Sequence, residues 1–355
     1  MPRVCLRLCR LLLSDCPMFE TSFKETPMTA LSTRLTQALA LKHPVVSAPM
    51  AFAGGGALAA AVSRAGGLGL IGGGYGDRSW LEAQFELSAG ERVGVGFITW
   101  SLQKSPSLLT DVLKRRPLAV MLSFGDPRPF AKQIRAAGAR LICQCQDMGH
   151  VKEAVDAGAD LVVAQGAEAG GHGGLRGALS FVPEAADYLA KHAPDTLLLA
   201  AGGIADGRGL AASLMLGADG VLLGTRLWAA KEALVREGHH RAILDTNGDG
   251  TVRTTLADIA RQISWPHGFT ARIRRNAFTD RWQGREQALA NDIAVEAPRY
   301  RQAFLDGDPD NTGVWFGEAA GLIDSIEPAA DIIERMMSDA VGRLAGHGGV
   351  RIVVP

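Results

Sequence analysis

From Pro44 onward, short apolar runs alternate with segments whose apolar residues recur every three or four positions. The runs predict strands at Val45–Ala48, Leu68–Ile71, Val93–Ile98, Ala119–Leu122, Leu141–Cys145, Leu161–Ala164, Leu197–Ala200 and Gly220–Leu223. The periodic segments predict helices, among them Ala57–Ala65, Ser79–Leu87, Leu108–Arg115, Pro129–Ala137, Val151–Ala157, Pro183–His192 and Arg208–Leu216. Several end at a glycine stop such as Gly66, Gly138, Gly158 or Gly217. The strands are near-continuous apolar runs rather than alternating ones, the signature of a parallel sheet covered on both faces.

Eight strand–helix units in ~180 residues predict an α/β fold of the (β/α)8 TIM-barrel type. No helix is evident directly after the eighth strand. The stretch from Ala230 to about Asn291 is rich in Arg, His and Trp and shows no apolar strand run, which predicts a helical insertion over the barrel mouth. The barrel is therefore assigned to residues 28–229, the insertion to 230–300, and a C-terminal segment returning to the barrel wall to 301–355. That last segment holds the run Gly313-Val314-Trp315-Phe316-Gly317 and an amphipathic stretch at about Pro328–Leu344. An open doubly wound sheet is the rival. It calls for GxGxxG after the first strand, and Met50-Ala51-Phe52-Ala53-Gly54-Gly55-Gly56 lacks that spacing.

Hydrophobic residues make up 47% of the 355 positions, enough for a large core. Lys plus Arg equals Asp plus Glu at 37 each, so no net charge argues for nucleic acid or an anionic membrane as partner. No apolar stretch is long enough for a membrane span. Five cysteines without a CxxC pair argue against a zinc site, and Cys143 and Cys145 share a strand face in poor geometry for a disulfide. That usage suits a reducing cytoplasm. Residues 1–27 mix Arg3, Arg7 and Arg10 with an apolar run too short for a secretory core, and Asp15, Glu20 and Glu25 do not suit a transit peptide. They are expected to be a disordered extension ahead of a natural start at Met28.

In a barrel, the loops after the strands share one face, and that face holds the site. Gly202-Gly203 and Gly224-Thr225-Arg226 follow the seventh and eighth strands, where barrels commonly hold phosphate. Such glycines also serve plain strand-to-helix turns; the pair of loops together favours a phosphate group. His172 stands in the glycine-dense loop Gly170-Gly171-His172-Gly173-Gly174 after the sixth strand. An imidazole there can exchange a proton near neutral pH, or merely bond a loop carbonyl. The other seven histidines, His43 and His239 among them, read as surface or helix-end residues. Gln144, near the end of the fifth strand, needs partners for its amide, from a ligand or from a neighbouring strand end. Asp245-Thr246-Asn247-Gly248-Asp249-Gly250 looks like the start of a calcium loop, but Leu256 fills the position that needs an acid, so a turn is expected. Trp265 and Trp282 suit either a substrate lid or the packing of a small subdomain.

Ala48-Pro49-Met50, Ala65-Gly66-Gly67-Leu68-Gly69, Gln165-Gly166-Ala167-Glu168-Ala169-Gly170-Gly171-His172, Ala201-Gly202-Gly203-Ile204-Ala205-Asp206-Gly207 and Leu223-Gly224-Thr225-Arg226 together resemble the nitronate monooxygenase family. The resemblance runs from about Leu31 to Ile333, and Glu168-Ala169-Gly170-Gly171-His172 is its most specific part. It implies FMN as cofactor and oxidation of alkyl nitronates with O2 to carbonyl compounds and nitrite. It implies that Pro49 and Met50 border the flavin and that Gln144 touches its ring. Gly171, Gly202, Gly203, Gly224 and Thr225 would hold its phosphate side, and His172 would be the catalytic histidine, a base on a neutral nitroalkane or an anion-orienting group for a nitronate. Its partners would be a nitronate or nitroalkane and O2, with the chain a monomer or homodimer. One branch of the family carries an Asn in strand three and a second His near the end of strand four; Gly96 and Ser123 stand at the matching places here. An NAD(P)H-dependent flavin reductase acting on quinones or enoyl thioesters, and a non-catalytic flavin-binding barrel, are the alternative functions.

Overall fold

The computed structural model describes residues 31–88 and 90–347. The extension expected at 1–27 and the start at Met28 lie outside the described residues. In chain order the strands are β1 (Val45–Ser47), β2 (Leu70–Gly74), β3 (Gly94–Ile98), β4 (Ala119–Ser123), β5 (Arg140–Cys145), β6 (Leu161–Gln165), β7 (Gly171–Gly173), β8 (Leu197–Ala201), β9 (Gly220–Leu223), β10 (Thr251–Thr254) and β11 (Thr270–Arg274). Eight of them form one parallel sheet in the order β1-β9-β8-β6-β5-β4-β3-β2. A parallel bridge between Val46 and Leu68 joins its two ends, with Ser47 N–H donating to Leu68 O at 2.9 Å. The sheet is thus a closed (β/α)8 barrel.

Two-residue alternation divides each strand between inside and outside. Met121, Ile142, Leu161, Val163 and Leu199 fill the interior, and the helix Arg34–Leu39 adds Leu35 and Leu39 to that cluster. Val120, Leu122, Val162 and Ala164 face outward against Ile134, Val151 and Phe181 of the surrounding helices. Fully burying each such valine, leucine, isoleucine, methionine or phenylalanine contributes about 1.5–3 kcal/mol before entropy is counted.

The eighth helix of the ring comes from far down the chain. Ala329–Gly342 packs against the helices Gly56–Arg64 and Gly207–Met215, the positions on either side of the gap. Its approach needs a glycine: a Cβ on Gly207 would lie 2.4 Å from Ala340 N.

Three local differences from the sequence expectation have physical causes. Strand β2 runs through Gly72 to Gly74, because the loop after β1 crosses it so closely that a Cβ on Gly72 would sit 2.2 Å from Met50 O. The helix expected from Pro183 starts at Ala178. Pro183 is tolerated inside it because the carbonyl it deprives belongs to Leu179, a residue 75% exposed. The insertion has short helices such as Leu256–Ala260 and Ala277–Trp282, but also β10 and β11. In β11, Thr270-Ala271-Arg272-Ile273-Arg274 buries only Ala271 and Ile273, a two-residue alternation hidden by the arginines. These strands pair antiparallel with each other and then with β7, making a second three-stranded sheet.

Candidate active site

A cavity of about 1210 Å3 opens at the C-terminal ends of the barrel strands. It is larger than a pocket for one small ligand, roughly 300–1,000 Å3. Pro49, Met50, Gln144, Gly171, His172, Gly202, Gly203, Gly224 and Thr225 all line it. Among the described residues no aspartate or glutamate does, whereas Arg236, Arg261 and Arg301 do.

His172 is held by a strand rather than a free loop. It is the middle residue of β7, opposite Ala271 of β11. The preceding residues are pinned by arginines: Arg253 Nη2 and Arg272 Nε donate to Ala167 O at 3.1 and 3.0 Å. Gly170 and Gly317 lie backbone against backbone, and Glu318 N–H donates to Glu168 O at 2.9 Å. Burial leaves His172 9% exposed. Its Nε2 lies 2.8 Å from Asp258 Oδ2. An ionised carboxylate accepts, so Nε2 carries the proton. That leaves Nδ1 as the basic lone pair, and no described residue bonds to it. Desolvation lowers the His172 pKa, while Asp258 opposes the shift. The ring is therefore neutral and able to accept a proton at neutral pH.

Asp258 escapes the sequence pattern because 86 residues separate it from His172. One signal was present: it is the lone acid in the apolar helix Leu256-Ala257-Asp258-Ile259-Ala260. An acid in such company needs a partner inside the protein. Trp265 lies flat on the imidazole, with ring centroids 3.4 Å apart and planes within 11°. Of the two tryptophans left open by the sequence, Trp265 belongs to the site and Trp282 to the core of the insertion, beside Phe278 and Leu289. Phe124 presents an edge to His172 at 6.2 Å from a left-handed backbone, φ 64°. That conformation costs a non-glycine residue about 1–2 kcal/mol, as strained backbones at functional sites do.

A chain of amides links the barrel floor to His172. Ser123 Oγ donates to Gln144 Oε1 at 3.2 Å, and Gln144 Nε2 donates to Gln165 Oε1 at 2.7 Å. Gln165 Nε2 then donates to the His172 carbonyl at 3.1 Å. Gln144 thus finds protein partners and still borders the cavity. Gly96 also lines it, and a Cβ there would lie 2.2 Å from Pro49 Cγ, so an asparagine at this place would displace Pro49.

At the other end, Gly202 and Gly203 take φ of 100° and 74°, open to glycine alone at low cost. Among the described residues, none accepts from the N–H groups of Gly202, Gly203, Gly224 or Thr225. Thr225 Oγ1 accepts from Gly317 N–H at 2.9 Å, which leaves its own hydroxyl proton free to donate. Half-buried backbone donors left without acceptors beside a cavity are the expected form of an anion corner. Two histidines expected at the surface or at helix ends are buried: His43 and His239, the latter in the first turn of the helix Glu237–Leu244, are each 4% exposed. His239 forms part of the cavity wall near Phe304. The Asp245–Gly250 segment is the expected turn, closed by Gly250 N–H on Asn247 Oδ1 at 3.2 Å. Among the described residues no cluster of metal-binding side chains forms, and no helix is long and apolar enough to cross a membrane.

The family model for nitronate monooxygenase matches residues 32–88 and 98–339. The chain belongs to the nitronate monooxygenase family. A nitronate monooxygenase of Neurospora crassa is 33% identical over 91% of this chain and 96% of its own length. Among solved structures, FabK from Thermotoga maritima superposes with a TM-score of 0.78 at 31% identity, covering 90% of this chain and 99% of that one. A nitroalkane oxidase from Streptomyces ansochromogenes gives a TM-score of 0.75 at 25% identity, covering 88% of this chain and 99% of that one. As a member of the nitronate monooxygenase family the chain is an oxidoreductase, and His172 lies in the segment the family model matches.

Proposed function

We propose that the cavity binds FMN and that the chain oxidises alkyl nitronates with O2 to carbonyl compounds and nitrite. Neutral nitroalkanes enter after loss of a proton to His172. The observation that carries this reading is the pairing of two ends in one cavity. One end offers N–H groups free for a phosphate, and the other offers a neutral, carboxylate-held imidazole. FMN, when bound, supplies the electron acceptor. Gly202, Gly203, Gly224 and Thr225 would hold its phosphate, with Gly171 bordering the same path. Pro49 and Met50 would flank the ring, and the free amide N–H of Gln144 would reach its polar edge.

The protein's own work is positional. His172 Nδ1 takes the proton from the carbon beside the nitro group. Asp258 keeps the Nε2–H tautomer and balances the imidazolium that forms, as the aspartate does in a Ser-His-Asp triad. Trp265 covers one face of the ring and keeps water from it. On this reading the partners are the nitro compound and O2, and the chain acts as a monomer or homodimer. We place it in a cytoplasmic setting, where thiols such as the buried Cys143 and Cys145 stay reduced.

The test is the visible spectrum of the purified, flavin-loaded protein as ethyl nitronate is added without oxygen. Bleaching of the flavin band supports the reading. A band that stays oxidised overturns it and favours an NAD(P)H-dependent reductase, which direct addition of NADH or NADPH would then reveal.

A further inference from the structure

Arg261 is a cation without an ordinary counterion. Its side chain is 21% exposed and lines the cavity that holds His172. Among the described residues, the one carboxylate oxygen within reach is Asp258 Oδ1, 4.0 Å away and beyond hydrogen-bond distance. That same Oδ1 is buried with no hydrogen-bond partner, while Oδ2 is committed to His172. The guanidinium is instead surrounded by aromatic faces. Tyr75 and Trp315 lie 5.3 Å from it and Phe52 lies 5.9 Å away. Trp315 is also 5.5 Å from the His172 ring, and Tyr75 Oη accepts from Trp265 Nε1 at 3.2 Å. Arg261 and His172 therefore share one aromatic chamber.

The backbone fixes this placement. The helix Leu256–Ala260 ends with Gln262 at φ 56°, Gln262 N–H on Ile259 O and Ile263 N–H on Asp258 O. This is a Schellman ending with a glutamine where glycine is usual. One short turn thus presents Asp258 to the imidazole and Arg261 to the cavity.

We propose that Arg261 binds the two oxygens of the nitronate group and makes the site selective for the anion over its neutral parent. The proposal rests on the nitronate reading above and names the residue that recognises that substrate. A guanidinium offers two parallel N–H donors in a plane, and the nitronate head is a planar anion with two oxygens at matching spacing. The aromatic walls reduce the water around the guanidinium, whose side chain is 21% exposed, and so strengthen the contact. A cation already in place for the anion also leaves His172 neutral, free to act on nitroalkanes. Compensating Asp258 alone would be served by any cation; planar recognition needs the fork.

The test uses flavin-loaded wild type, Arg261→Gln and Arg261→Met, with inorganic nitrate as a planar probe that the enzyme cannot oxidise by proton loss. Nitrate binding is followed through the flavin difference spectrum. Ethyl nitronate and nitroethane are then compared as substrates. Both variants should weaken nitrate binding and raise KM for ethyl nitronate by about 10- to 100-fold, the scale of hydrogen bonds to a charged group. KM for nitroethane should change little. Arg261→Met keeps the apolar stem among the aromatic rings, so it serves if Arg261→Gln loses flavin. Unchanged nitrate affinity and nitronate KM in either flavin-loaded variant overturn the proposal. Failure of wild type to be reduced by nitronate would sink the oxidation reading instead, while nitrate binding that still depends on Arg261 would keep the anion site.

Discussion

His172 Nε2 and Asp258 Oδ2 stand 2.8 Å apart, with side chains only 7% and 5% exposed. The first belongs to a strand facing the barrel mouth and the second to a five-residue helix of the insertion. The insertion therefore completes the site rather than decorating it. Replacing Asp258 by Asn keeps the shape and removes the charge. Turnover of neutral nitroalkanes should fall by about 10²–10⁴, as for other losses of a base or its orienting carboxylate. Nitronate oxidation, which needs no proton abstraction, should fall less. Equal losses on both substrates would contradict the assigned role.

The acid limb of kcat/KM for nitroethane should lie below pH 6.5, because burial lowers the His172 pKa. Asp258 raises that pKa against the burial effect. In Asp258→Asn the limb should therefore move to still lower pH, although the rate is smaller. A shift toward higher pH would show that another group controls the limb.

Trp265 covers His172, so Trp265→Ala should let water reach the imidazole. With less desolvation its pKa should rise toward 6.5, the reverse of the Asp258→Asn shift. The same pair of pH profiles measures both. Two variants around one ring that move its titration in opposite directions would be hard to explain by general loosening.

The barrel was readable because its strands bury both faces, which leaves unbroken apolar runs such as Leu161-Val162-Val163-Ala164. The placement of His172 and of Gly202, Gly203 and Gly224 at one cavity was readable because they follow such runs in a countable order. Asp258, Arg261 and the sheet joining β10, β11 and β7 were not. Their positions depend on the antiparallel pairing of β11 with β7, such as Ala271 opposite His172, between segments far apart in the chain, for which local periodicity carries no signal. In β11 the outward arginines are spent on hydrogen bonds, Arg272 to Ala167 O beside the site and Arg274 to Asp310, so the usual strand composition is lost.

Gly96 reports on the fit of the first loop. A methyl group there would meet Pro49 Cγ at 2.2 Å, well inside contact distance. Gly96→Ala should therefore displace Pro49 and weaken flavin retention, read as the flavin-to-protein absorbance ratio after dialysis. Gly138→Ala is the matching control for a glycine whose Cβ meets open space, although its φ of 78° adds local strain. It should lower stability by about 1 kcal/mol and leave flavin in place. Equal flavin content in both variants would remove Pro49 from the proposed ring contacts.

His43 should make the fold acid-sensitive from a point remote from the chemistry. It is 4% exposed, and its Nδ1 is buried without a partner. Burial, with Lys42 adding to it, lowers its pKa from 6.5 to about 4. Between those values the unfolded chain binds a proton that the folded one refuses. Stability must then rise with pH across the window. The His43 contribution is complete above 6.5, drains away as pH falls toward 4, and changes no further below that. His172, His239 and His240 are shifted the same way and add to the wild-type slope. His43→Gln removes one titrating group and should flatten that slope by up to one proton. Urea unfolding at a series of pH values from 4 to 7 measures it. Parallel curves for the two proteins would mean that His43 is protonated in the native state, which would require the buried nitrogen to have found an acceptor.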